Sequence, residues 1–86
     1  MDSKRSEARR KFRSSFVLTR VVNGRTRYYK IICQPTLFGE YVVVREYGSV
    51  HNRKATGQIT QYFQSAEKAF ETVISLLSQK RRKGYV

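Results

Sequence analysis

Alternating hydrophobic and polar positions predict four β-strands that pair in an antiparallel sheet. The strands are expected at residues 16–22, 27–34, 41–45 and 58–63. Between the first two lies Asn23-Gly24, a strong signal for a tight hairpin turn, because both residue types tolerate positive φ. On the second strand, Tyr29, Ile31 and Cys33 share one face, which we expect to face the core.

One amphipathic helix is predicted after the fourth strand. Its apolar positions recur at helical spacing and are Ala66, Ala69, Phe70, Val73, Ile74 and Leu77. Ser65 is a typical N-cap residue, and Gly84 offers a left-handed stop. A helix over residues 66–79 would be about 20 Å long, enough to cross a small sheet. The predicted fold class is α+β, a small antiparallel sheet of about four strands with one C-terminal helix across one face.

Residues 45–50, Arg-Glu-Tyr-Gly-Ser-Val, form a corner at which we expect the third strand to end. Tyr47 supplies an aromatic ring and Gly48 a flexible backbone, before a basic loop over residues 48–57. Such a corner can simply end a strand with its ring over the core, or it can present a stacking ring to a ligand. We expect the helix to cover the opposite face of the sheet.

Length and charge indicate one basic domain with an anionic partner. A chain of 86 residues has room for a single small core. It carries 18 Lys and Arg against 6 Asp and Glu, a net charge of +12. Basic segments at residues 1–13 and 80–86 each contribute +4. We expect residues 1–14 to be a basic, disordered arm and residues 15–86 to be the folded domain. Each basic segment can also be a solvated tail that keeps the protein soluble.

The remaining composition favours an intracellular protein without enzymatic activity. Cys33 is the only cysteine, so no intramolecular disulfide can form, and no apolar run resembles a membrane span or a secretory signal. We expect a cytoplasmic location, associated with the nucleoid if the source is bacterial. His51 is the only histidine, and no carboxylates pair at catalytic spacing, so we expect no catalytic residues, metal site or cofactor.

Nucleic-acid binding fits the residues around the corner and the end of the helix. Phosphates need Lys or Arg along a line of charge, and an aromatic ring can stack on a base at a strand end. The candidate nucleic-acid-binding residues are Arg45, Tyr47, Gly48, Arg53, Lys54, Lys80, Arg81, Arg82 and Lys83.

Several short motifs, taken together, resemble the WGR domain. They are Tyr28-Tyr29-Lys30, residues 45–48, Gly57-Gln58, Phe63 followed by Ser65, and residues 80–85. The resemblance covers roughly residues 16–85. It implies a small sheet with one helix, as in poly(ADP-ribose) polymerases and short stand-alone bacterial proteins. In the polymerases this domain binds DNA ends or breaks, with its signature Trp near the terminal nucleotide.

The signature itself is altered in this chain. Tyr47 stands at the place of the Trp, Gly48 matches the Gly, and Ser49 replaces the Arg. A Tyr keeps the flat ring with less area, so end stacking would be weaker. Ser49 removes a planar, charged donor fork and with it the basis for the domain-to-domain signalling of the polymerases.

The sequence therefore predicts a non-enzymatic, monomeric module that binds duplex DNA with a preference for ends or nicks. No recognition helix with base-reading residues is evident, so little sequence specificity is expected. Two alternatives remain open at this level. One is binding of double-stranded or structured RNA, and the other is an adaptor whose sheet edge or Tyr-rich face meets an acidic protein partner.

Overall fold

A computed structural model describes residues 13–86 and shows four strands followed by one helix. The elements are β1 (Ser14–Val22), β2 (Arg25–Pro35), β3 (Tyr41–Ser49), β4 (Gly57–Phe63) and α1 (Ala66–Arg82). The strands form one antiparallel sheet in the order β1-β2-β3-β4. This confirms the predicted α+β fold. The arm expected at residues 1–14 lies outside the described residues except for its last two, and Ser14 is already the first residue of β1.

The turn between β1 and β2 has the conformation that its sequence predicts. Asn23 has a φ of 53° and Gly24 a φ of 77°. Positive φ at both central residues defines the two-residue turn that matches the twist of paired strands. The turn fixes the register of the hairpin, in which Val22 is opposite Arg25 and Arg20 is opposite Arg27.

The core lies between one face of the sheet and α1. Ile31 and Val43 are completely buried there. The other buried members are Tyr29, Cys33, Ala69, Val73 and Leu76. The core face predicted for β2 is therefore confirmed. Burying an aliphatic side chain of this size contributes about 1.5–3 kcal/mol, so these contacts hold the helix on the sheet.

The buried face of α1 differs from the predicted one. Ala69 and Val73 are buried as expected, but Ile74 is 66% exposed and Leu76 takes its place in the core. Residues at i, i+4 and i+7 share a helix face, and the sheet receives the face of Ala69, Val73 and Leu76. The apolar positions predicted for the helix cover more than one face, and packing against the sheet determined which face is buried.

All five elements are longer than predicted, and the extensions of β3 and α1 bear on the candidate site. β3 continues through the corner to Ser49, so that Tyr47 is opposite Tyr29 and Gly48 is opposite Tyr28. The strand end predicted at Arg45 is wrong, because pairing with β2 continues through residues 46–49. α1 continues to Arg82 rather than residue 79, with its last basic residues at the carbonyl end of the helix, which favours cations.

No helix within residues 13–86 is long and apolar enough to cross a membrane. In the same range, no three His, Cys, Asp or Glu side chains come together as metal ligands.

Candidate nucleic-acid interface

A basic pocket lies at the end of the domain where the β1–β2 hairpin, the end of β3 and the end of α1 meet. Its volume is about 300 Å³. Four cationic and three tyrosine side chains contribute to it, and the complete lining is Arg20, Val22, Arg27, Tyr29, Tyr47, Gly48, Lys80, Lys83 and Tyr85. The pocket therefore combines the two chemistries that phosphates and bases require.

The three tyrosines of the basic pocket form one packed group around Tyr29. Tyr47 is stacked beside Tyr29, with ring centroids 6.2 Å apart and an angle of 15° between the planes. Tyr85 approaches the same ring edge-on, also at 6.2 Å. Tyr29 is only 4% exposed, whereas Tyr47 and Tyr85 are half-buried. Tyr47 and Tyr85 are therefore the more exposed rings of this group.

Tyr47 lies on the face of the sheet that the helix covers, not on the opposite face as the sequence led us to expect. It is opposite Gly57 on β4, and a Cβ at that glycine would collide with the Tyr47 hydroxyl and ring. The missing side chain of Gly57 thus makes room for the ring. The ring packs on the core and also lines the basic pocket, so the role in ligand stacking stays a prediction.

Lys80 reaches into the basic pocket from the last turn of α1. Its Nζ lies 4.3 Å from the centroid of the Tyr29 ring and 5.6 Å from that of Tyr85. Burial lowers the pKa of Lys80, and the neighbouring charges of Lys83 and Arg45 lower it further. The ring faces favour the charged amine, but desolvation and two cations oppose it more strongly. An incoming anion would relieve that repulsion.

The end of α1 is fixed by a glycine and by the segment that follows it. Gly84 has a φ of 98°, and the Tyr85 N–H donates to the Lys80 carbonyl, which is the bonding pattern of a Schellman motif. Val86 then exchanges two backbone hydrogen bonds with Thr19 on β1, at 2.9 and 3.0 Å. Because the C-terminal segment pairs with β1 in this way, Tyr85 lies against Tyr29.

Arg20 lies close to the same helix end. A Cβ at Gly84 would be 3.3 Å from Arg20 Nε. The carbonyl end of a helix carries a partial negative charge of about half a unit, which disfavours an anion. The four cations of the basic pocket outweigh that charge.

The structure brings together some of the predicted site residues and separates others. Tyr47, Gly48, Lys80 and Lys83 line the basic pocket. Arg53 and Lys54 are exposed in the loop between β3 and β4 and do not line it. Arg81 and Arg82 line a different groove on the outer side of α1.

Arg45 is also apart from the basic pocket. It lies under α1, where its Nη2 donates to Gln61 Oε1 at 2.8 Å, in a depression that Glu71 also lines. The strand alternation explains this position, because Arg45 shares the helix-covered face with Val43 and Tyr47.

Ser49, at the altered signature position, is buried and holds the start of the loop. Its Oγ accepts a hydrogen bond from the His51 N–H at 3.2 Å. A second depression adjoins the basic pocket there and shares Val22 and Arg27 with it. Its other lining residues are Asn23, Arg25, Ser49, Asn52 and Thr56. A small side chain at position 49 thus leaves this depression open and polar.

Sequence reasoning missed Arg20, Arg27, Tyr29 and Tyr85 as members of the site. A signal for the two arginines was present, because a two-residue turn at Asn23-Gly24 places residues 20 and 27 opposite each other on one face. Tyr29 was assigned to the core, where it also belongs. Tyr85 had no such signal, since its position depends on how the chain leaves the helix.

The fold and the basic pocket define a small α+β domain with a cationic, tyrosine-lined end. The sequence matches the WGR domain family over residues 12–86, and the chain belongs to that family. WGR domains of poly(ADP-ribose) polymerases bind nucleic acid, and the resemblance found in the motifs is confirmed.

Among curated proteins, the chain is similar to the uncharacterized protein y4dW of Sinorhizobium fredii (strain NBRC 101917 / NGR234), with 35% identity over 60 residues. The aligned part is 69% of this chain but only 28% of that protein, so the chain spans a minor part of its length. No solved structure shows significant similarity to the chain.

Proposed function

We propose that this protein is a non-enzymatic DNA-binding module that holds the phosphate backbone of duplex DNA at the basic pocket. The observation that carries the proposal is the clustering of four cations around three tyrosines at one end of the domain. Arg20, Arg27, Lys80 and Lys83 neutralise phosphates. Membership of a family whose polymerase members bind nucleic acid supports the same conclusion.

The half-buried ring of Tyr47 gives the site a preference for DNA ends or nicks. At an end or nick, the terminal base pair exposes an apolar face that an internal base pair does not. Stacking on an aromatic side chain contributes about 1–3 kcal/mol per base. Because part of the Tyr47 ring is occupied by Tyr29, we expect the lower part of that range.

Arg53 and Lys54 extend the phosphate contacts along the duplex from the exposed loop. Arg45 is left out of the proposed contacts, because its guanidinium is held by Gln61 beneath the helix. Arg81 and Arg82 are also left out, because they line a separate groove.

The end preference is tested with two duplexes of the same sequence. One has blunt ends, and in the other both ends are closed by hairpin loops. The ratio of the two dissociation constants measures end preference, and it is unaffected by the fraction of active protein. We expect the ratio to favour blunt ends in the wild type and to approach one for Tyr47→Leu.

Tyr62→Leu is the matched control, because Tyr62 is 63% exposed on the uncovered face of the sheet. This variant should keep the wild-type ratio. If Tyr47→Leu also leaves the ratio unchanged, Tyr47 does not recognise ends.

The phosphate contacts are tested by the salt dependence of binding to the closed duplex. Each phosphate contact adds about 0.9 to the slope of log affinity against log salt on B-DNA, so Arg27→Ala should lower the slope by about 1. Arg53→Ala with Lys54→Ala should weaken binding to blunt and closed duplexes equally. Arg82→Ala serves as the matched control and should leave the slope unchanged.

Two further results would contradict DNA binding of this kind. Equal affinity for matched DNA and RNA duplexes would contradict the preference for DNA, because the two differ in groove shape and 2′-hydroxyls. Affinity that barely changes between low and moderate salt would instead favour an acidic protein partner.

A further inference from the structure

A second surface of the domain exposes two large apolar side chains at the turn between β2 and β3. Leu37 is 80% exposed and Phe38 is 88% exposed. We call this pair the apolar tip. Turn positions usually carry Gly, Asn, Asp or Ser, and adjacent exposed Leu and Phe have no packing role within residues 13–86. Such an exposed pair indicates a contact with another molecule.

The turn holds the apolar tip in a defined conformation. The Thr36 N–H donates to the Glu40 carbonyl at 2.7 Å. Thr36 Oγ1 accepts hydrogen bonds from the N–H groups of Phe38 and Glu40, at 3.2 and 3.3 Å. Gly39 closes the turn with a φ of 84°. Because the backbone of the tip is ordered in this way, it loses little backbone conformational entropy when the tip binds.

The apolar tip and the basic pocket are at opposite ends of the sheet. β2 connects them with 11 residues, and at about 3.3 Å per residue it spans roughly 35 Å. The charge next to the tip is Glu40, in contrast to the four cations of the basic pocket. A DNA groove is therefore a poor site for the tip, because phosphates would repel Glu40.

The outer side of α1 carries a groove with complementary properties. It has a volume of about 450 Å³ and is lined by Ile74, Leu77, Ser78, Arg81 and Arg82. We call it the helix groove. Ile74 and Leu77 provide an apolar floor, with Ile74 66% exposed. Arg81 and Arg82 provide a cationic rim, and Arg82 Nη2 donates to Ser78 Oγ at 3.2 Å.

We propose that the apolar tip of one copy of this chain docks in the helix groove of a second copy. Leu37 and Phe38 contact the floor formed by Ile74 and Leu77, and Glu40 pairs with Arg81 or Arg82. The tip and the groove are different surfaces, so each docked copy keeps one free tip and one free groove. A contact of this kind is head-to-tail and extends into a row of copies.

The net charge of +12 does not prevent this contact at physiological salt. The Debye length is about 8 Å at 0.15 M, so charges at the far ends of two copies are screened, while Glu40 and the rim arginines attract at close range. The contact area of one turn and one helix face is small, which makes the association weak and transient.

The test is sedimentation of the protein without DNA at 0.15 M salt, over a wide concentration range. The weight-average mass of the wild type should rise with concentration beyond that of one chain. Leu37→Ser with Phe38→Ser, and separately Ile74→Ser, should keep the mass of one chain. Val21→Ser, which removes an apolar side chain that is 69% exposed elsewhere, is the matched control and should associate like the wild type.

Mixing the two defective variants distinguishes this contact from nonspecific association. The Ile74→Ser variant retains a tip, and the Leu37→Ser, Phe38→Ser variant retains a groove. An equimolar mixture should therefore form pairs and nothing larger. A wild type that stays at the mass of one chain, or a mixture that does not pair while the wild type associates, would overturn the proposal.

Charge exchange provides a second measurement. Glu40→Arg should abolish association, and combining it with Arg81→Glu and Arg82→Glu should restore it. No restoration, with both variants folded by circular dichroism, would overturn the proposed pairing of Glu40. None of these measurements depends on DNA binding, so the proposed function stands or fails separately.

Discussion

Tyr47 and Lys80 show how single residues in this domain pack against the core and also line the basic pocket. Tyr47 stacks on Tyr29 and fills the space that Gly57 leaves, while its remaining surface lines the basic pocket. The Lys80 amine lies over the Tyr29 ring, and burial and the charges of nearby cations lower its pKa. Because each residue is held by its neighbours, the proposed binding of phosphate would require little rearrangement of the pocket.

The lowered pKa of Lys80 predicts a pH dependence of DNA binding. The ordinary pKa of a lysine side chain is 10.5, and that of Lys80 is lower in the folded protein. As pH rises through the lowered value, Lys80 loses its charge and its attraction for phosphate. Wild-type affinity should therefore begin to fall at a lower alkaline pH than affinity of Lys80→Arg, which stays charged.

The measurement is a series of binding titrations from neutral to alkaline pH at constant ionic strength. Lys54→Arg is the matched control and should follow the wild-type profile. Coinciding profiles for the wild type and Lys80→Arg would contradict the role of Lys80. In the same pH window the unfolded chain binds more protons at this residue, so the Lys80 contribution to the free energy of unfolding rises with pH.

At the scale of elements, short local sequence signals determined the position of the hairpin turn and the start of α1. Asn23-Gly24 made the hairpin turn, and the hairpin register then placed Arg20 opposite Arg27. Ser65 begins α1, since its side chain accepts a hydrogen bond from the Lys68 N–H at 3.2 Å. The interior of the sheet was less predictable. The extent of β3 depended on its pairing with β2 and not on its own residues.

The N-cap of α1 gives a prediction for stability. Ser65→Ala removes the acceptor for the Lys68 N–H and should lower the free energy of unfolding by about 1 kcal/mol. For a domain of this size, that corresponds to a fall of about 4–8 °C in Tm. Thermal unfolding followed by circular dichroism measures it.

Ser75→Ala is the matched control for the cap. Ser75 is exposed in the middle of α1, where Ala is the better helix former. The Tm of the Ser75→Ala variant should therefore equal that of the wild type or be slightly higher. Equal losses in the two variants would show that the Ser65 cap contributes nothing specific.

At the scale of the whole domain, residues 13–86 form an elongated body with two different ends. Its principal extents are 51, 25 and 18 Å. The basic pocket occupies the end formed by the hairpin turn and the end of α1, and the apolar tip occupies the other end. Separation along the sheet allows the two surfaces to bind different partners at once, so copies aligned head-to-tail would present successive basic pockets to one duplex.

The net charge predicts that salt stabilises the folded domain. A charge of +12 on a small domain repels itself more in the compact state than in the expanded one. Raising the NaCl concentration screens this repulsion, so Tm should rise between low and moderate salt. The double variant Arg53→Gln, Lys54→Gln should show a shallower rise, and a Tm that falls with salt would contradict the prediction.

The sequence by itself determined the element order, the turn at Asn23-Gly24, the β2 core face, the start of α1 and the family. These features depend on residues that are close in the chain, where propensity and side-chain periodicity act directly. The sequence also pointed to Lys80 and Lys83, which line the basic pocket, because a basic cluster at a helix end is visible in the sequence.

Only the tertiary structure decided which face of α1 is buried, that Tyr47 shares the helix-covered face, and that Arg45 lies beneath the helix. It also decided that Arg20, Arg27, Tyr29 and Tyr85 meet Lys80. These outcomes depend on strand register and on the return of Val86 to β1, which join residues far apart in the chain. Contacts of that kind are set by the packing of the whole domain and not by local pattern.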